Sequence, residues 1–180
     1  MHSDQAPYRK LLDQIDGCDN GSLNAIIEQW LTTQSNELAW FEALARVWGD
    51  DIPTISNEDS WRLYALSRVS DALIKLIGEN HSRVDHYTKF MERLGLRRIN
   101  TPSYHPFYHE IVSVSPSAIT DAPIALSGLV WPGFMCGSLM ITRAGVSVTG
   151  GDLHIKNKIA ETSTLYWSYR RAGRPTEDLS

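Results

Sequence analysis

Apolar side chains recur at two different spacings along this chain, and the change falls near residue 100. Before it they return every three or four positions, which gathers them on one face of a helix. After it they alternate with polar residues, the period of a strand.

In the first half a short helix is expected around Tyr8–Ile15. Leu23, Ile26, Ile27, Trp30 and Leu31 make the next stripe, with Ser22 as its cap. Leu38, Phe41, Leu44, Ala45 and Trp48 make another, capped by Asn36 and stopped by Gly49. Trp61, Ala65, Val69, Ala72, Leu73 and Leu76 make a third, opened by Ser56-Asn57-Glu58-Asp59 and closed by Gly78. Leu63, Leu66 and Ile74 fall outside that stripe, so this helix is expected at the centre, buried on more than one side. Val84, Tyr87, Met91 and Leu94 form the last stripe, ended by Gly95.

Pro102 and Pro106 interrupt helical geometry, and β-branched residues follow. Strands are expected at Ile111–Ser115, Ile124–Trp131, Ser138–Arg143, Val146–Thr149 and Thr164–Arg170, with a turn at Ala144-Gly145. Ser113 and Ser115 predict one polar face. Leu139-Met140-Ile141 has none and reads as a central strand. The fold class is α+β: an N-terminal bundle of four or five helices (residues 1–99) packed on a C-terminal antiparallel sheet of about five strands (residues 100–180), as one compact unit.

Composition changes this picture little. The chain has 180 residues, 42% hydrophobic and 21% charged, which is ordinary for a folded protein. The net charge is −4, against the basic balance of proteins that coat nucleic acid. Residues 1–99 hold 15 acidic and 11 basic side chains, while the second half holds six of each. The two cysteines, Cys18 and Cys136, stand far apart and read as free thiols in a reducing cytoplasm. Met1–Gln5 has no basic region followed by an apolar run, so no signal peptide is expected. Residues Ala122–Thr142 form 21 uncharged positions, but Pro123, Gly128, Pro132, Gly133 and Gly137 divide them into strand-sized pieces rather than a membrane span.

Three features carry candidate chemistry. Tyr104-His105-Pro106-Phe107-Tyr108-His109-Glu110 places two imidazoles four apart beside a carboxylate. His105, His109 and Glu110 are candidate acid–base residues, and His105, His109 and His154 a candidate metal set. No zinc signature matches this spacing, and the ordinary reading is a loop whose His and Tyr tips bond backbone groups. Trp167, Arg170, Arg171 and Arg174 interleave cations with aromatics, a pattern that suits anions, stacked bases or an acidic partner. Their ordinary reading is pairing with the acidic half. Trp40 lies off its helix's stripe and either packs on a neighbour or anchors a partner. Phosphate-loop, dinucleotide and Gly-x-Ser-x-Gly patterns are absent from the sequence.

The leading expectation is a small cytoplasmic interaction protein, an adaptor, inhibitor or assembly subunit without catalysis of its own. Its partner is a protein, itself included, and not a membrane. An enzyme using His105, His109 and Glu110, and an anion or nucleic-acid binder using the arginine cluster, are the alternatives. No cofactor is identified.

Overall fold

The computed structural model describes residues 6–18, 22–47 and 55–163. The fold is α+β, and the described residues divide into two compact units. One comprises those of Met1–Arg97 together with Met135–Thr142. The other comprises Arg98–Phe134 and those of Arg143–Arg174.

The first unit holds helices α1 (Ala6–Asp16), α2 (Leu23–Thr33), α3 (Ser35–Val47), α4 (Asn57–Glu79) and α5 (Val84–Arg93). Helix α4 packs on α1, on α5 and on strand β5 (Leu139–Thr142), and Leu66, Val69 and Ile74 on it have no exposure. It is apolar on more than one face because it is covered on more than one side, as expected. Trp30 of α2 joins the layers: its ring meets Tyr8 at 5.4 Å and Phe90 at 5.6 Å, and its Nε1–H donates to the Pro7 carbonyl at 3.0 Å.

Several helix ends differ from the sequence reading. Ser22 precedes α2 in helical geometry, and its side chain makes no capping bond. Helix α3 opens at Ser35, one residue before Asn36, because Gln34 serves both neighbours. Its N–H closes α2 on Trp30, and its carbonyl accepts from Glu37 and Leu38. Helix α4 runs through Gly78 to Glu79. Asn80 stops it in extended geometry, and the Asn80 side chain accepts from the Ser82 N–H to start the short 3₁₀ turn His81–Arg83. The Ser56 cap holds as read, accepting from the Asp59 N–H at 3.0 Å, and Gly95 follows α5 at φ 79°. Trp48 and Gly49 lie outside the described residues.

Trp40 packs rather than standing free. It is half-buried, its Nε1–H donates to Asp59 at 2.9 Å, Phe41 meets its ring edge-on at 4.7 Å, and the Arg62 guanidinium lies over it at 5.1 Å.

Among the described residues, six strands form two small sheets rather than one antiparallel sheet of five. β1 (Arg97–Arg98), β4 (Phe134–Cys136) and β5 form the order β1-β4-β5. The Leu139–Ile141 run is thus an edge strand, half-buried at each position, and not a central one. β2 (His109–Pro116), β3 (Ala125–Trp131) and β6 (Ala144–Gly150) form the order β2-β6-β3. β3 runs antiparallel to β6, but β2 runs parallel to it. A period of two specifies a strand and not its direction, and a parallel pair needs a long crossover. That crossover is here the whole stretch between β2 and β6. Ala144-Gly145 is the start of β6, not a turn. The strand expected at Thr164–Arg170 lies outside the described residues. The uncharged Ala122–Thr142 stretch is divided among β3, β4 and β5, and no described helix is long and apolar enough to cross a membrane.

Candidate functional site: an apolar groove in the second unit

One face of the β2-β6-β3 sheet carries the unit's core. Ile111, Val146 and Val148 pack there with Ile155 and Ala160, and Tyr104, Val114, Ile124 and Leu126 lie against them. Beyond β6 the chain makes a turn and enters the short helix α6 (Asn157–Ala160). The sheet and this returning segment leave a groove of about 360 Å³, lined by Tyr104, Ile111, Asp152, Leu153, His154, Ile155, Lys156, Ile159, Ala160 and Ser163. That volume lies within the usual range of ligand sites.

Backbone bonds fix the groove's outer wall. The Gly151 N–H donates to Ala122 at 2.9 Å, the Leu153 N–H to Thr120 at 3.1 Å, and the Ile155 N–H to Gly151 at 3.0 Å. A side chain at Gly151 would bring its Cβ to 2.2 Å from the Thr120 carbonyl oxygen, so the two loops approach this closely only around glycine. His154 Nε2 meets Asp121 Oδ1 at 2.8 Å and closes the same junction from outside.

The floor is buried: Ile111, Ile155 and Ala160 are exposed by 4%, 9% and 8%. The rim is not. Leu153 and Ile159 present 71% and 65% of their surface to solvent. Asp152 and Lys156 also line the rim, exposed, and neither has an ion-pair partner among the described residues.

The histidine cluster stands beside this groove, and its rings bond the backbone. His105 turns the chain into β2. Its carbonyl accepts the N–H groups of Tyr108 and His109, and its Nδ1 accepts from the Phe107 N–H at 3.1 Å. The His105 N–H in turn donates to His109 Nδ1 at 2.9 Å. Both Nδ1 atoms are acceptors, so each neutral ring carries its proton on Nε2. A ring held this way has no lone pair left for a metal unless that backbone bond breaks. Burial holds the His109 imidazole below its ordinary range, against the opposing effect of its hydrogen bond to the His105 backbone. Tyr104 stacks on His109 at 5.9 Å and forms the groove wall on its other side.

The structure therefore brings His105 and His109 together through one hydrogen bond. Tyr104 reaches from that pair to the groove that His154 lines. Glu110 points away from His109: it is fully buried, in register with Gly145. No three His, Cys, Asp or Glu side chains among the described residues are grouped to hold a metal. Of the set His105, His109 and His154, the first two rings accept from backbone amides and the third meets Asp121. Trp167, Arg170, Arg171 and Arg174 lie outside the described residues.

Sequence reading used His154 as a third ligand and missed Leu153 and Ile159. Their signal was a set of aliphatic residues, Leu153, Ile155 and Ile159, spaced among Asp152, His154, Lys156 and Lys158 just after the Gly150-Gly151 pair. No protein-family model, curated protein or solved structure matches the chain.

Proposed function

We propose that this chain is a small cytoplasmic interaction protein, without catalysis of its own, that engages a protein partner through the groove of its second unit. The observation that carries the reading is the pair Leu153 and Ile159, two aliphatic side chains at 71% and 65% exposure flanking a buried apolar floor. Exposed aliphatics scattered singly need no explanation, but a pair bordering a groove marks a surface that gains from being covered. The free thiols Cys18 and Cys136 fit a reducing compartment. Both histidines of the acid–base alternative spend their Nδ1 atoms on backbone amides, which favours a binding role over a chemical one.

The test is the native size of the chain in extracts of cells that produce it. With Leu153→Asp and Ile159→Asp combined, the chain is expected to run smaller on native size exclusion than the unaltered chain, with unchanged thermal stability. Equal sizes for the two would overturn the reading.

A further inference from the structure

The partner's chemistry can be read from the rim, on the assumption that the groove is the binding surface. We propose that it docks against the same groove of a second copy of this chain about a twofold axis.

A twofold interface needs a surface that is its own complement, because whatever residue i meets, the partner's equivalent meets in return. This groove has both halves of such a match. Leu153 and Ile159 protrude, while Ile111, Ile155 and Ala160 form a recess beside them. Turning one copy over sets the protruding side chains of each into the recess of the other.

The charges match in the same way. Asp152 and Lys156 both line the groove, exposed, with opposite signs. The twofold places Asp152 of each copy against Lys156 of the other and forms two ion pairs, where neither side chain has such a partner among the described residues of one copy. A small anion is a poorer occupant, because Asp152 would face it alongside Lys156. A strongly acidic or basic partner segment likewise meets one favourable and one unfavourable charge. The whole chain carries net charge −4, which opposes self-association in general. Residues 100–180 carry six charges of each sign, so this half is where two copies meet without that penalty.

Sedimentation velocity over a concentration series tests the proposal on the full chain, with five proteins compared: unaltered, Leu153→Asp, Asp152→Lys, Lys156→Asp, and the double reversal of the two charges. The unaltered chain is expected to pass from monomer to dimer, and Leu153→Asp to stay monomeric throughout. Each single reversal sets like charges together twice and is expected to weaken the dimer about tenfold or more. The double reversal restores both pairs, to within about threefold of the original. All three positions are exposed, so circular dichroism and thermal midpoints are expected to stay the same. A chain that is monomeric throughout overturns the self-docking inference. A smaller native size for the Leu153→Asp, Ile159→Asp chain in extracts would then leave the broader reading standing. A dimer that survives Leu153→Asp, or a double reversal no better than the singles, also overturns it.

Discussion

The indole of Trp131 lies directly over Gly145, so close that a Cβ added there would sit 2.2 Å from its Cε2 atom. Both belong to the β2-β6-β3 sheet, paired in register, and the Trp131 Nε1–H donates to the Arg143 carbonyl at 3.1 Å. Glycine is present because the ring occupies the side-chain position. Gly145→Ala has to displace that ring or the strand, and is expected to cost about 3 kcal/mol, the upper part of the usual overpacking range. Urea unfolding followed by tryptophan fluorescence measures it. An unchanged midpoint would mean the ring has room to move.

Gly151 has the same relationship with backbone rather than with a ring. Gly151→Ala pushes against the Thr120 carbonyl, which cannot rotate away, and separates the loops that form the groove wall. The expected result is a loss of about 2 kcal/mol, with faster amide exchange at Leu153 and Ile155. Exchange that stays slow at both would show that the junction does not hold the wall.

Tyr8 and Glu37 form a buried pair, with the Tyr8 hydroxyl donating to the carboxylate at 2.7 Å. Burial first, then the nearby Glu37 charge, raises the Tyr8 phenol well above its ordinary 10.0. The native state therefore favours the protonated phenol. Its contribution is complete below pH 10.0 and lost as pH rises beyond it. Alkaline unfolding is expected to begin in that range and to be shallower in Tyr8→Phe. At neutral pH that substitution is expected to cost about 1–3 kcal/mol, because it leaves a buried acceptor short of its donor. Identical alkaline slopes for the two proteins would remove Tyr8 as the cause.

His109 works in the opposite direction. Its folded-state value is depressed below 6.5, mainly by burial, so the native state favours the neutral ring. Stability from this group is present above pH 6.5 and declines as pH falls through the depressed value. His109→Asn keeps an acceptor in place of Nδ1 and removes the titration. It is expected to flatten the acid limb of the stability profile. A proton NMR titration midpoint for His109 at or above the ordinary imidazole value would contradict this.

Element type was legible in the sequence wherever one face is buried and the other wet. The stripes from Leu23 to Leu31 and from Val84 to Leu94 are helices, and Ser113 and Ser115 mark the solvent side of β2. Relationships between distant segments were not legible. The parallel pairing of β2 with β6 depends on how the intervening chain is routed, which no local alternation records. Gly145 reads as a turn residue in sequence because the reason for it, the Trp131 ring, arrives from another strand. The histidine pair drew attention by residue type, yet its Nδ1 atoms are committed to amides only two and four positions away. Leu153 and Ile159 follow no period, since one sits in a turn and the other in a four-residue helix, so neither entered a stripe.

Site-specific photo-crosslinking in cells that produce the chain tests most directly whether the groove is the engaged surface. A benzophenone side chain placed at 153 or 159 is compared with one at 129, where Leu129 of β3 is as open to solvent, at 61% exposure, but does not line the groove. Protein adducts are expected from 153 and 159, and few or none from 129. Adducts equally frequent from all three positions, or absent from the two groove positions, would contradict this.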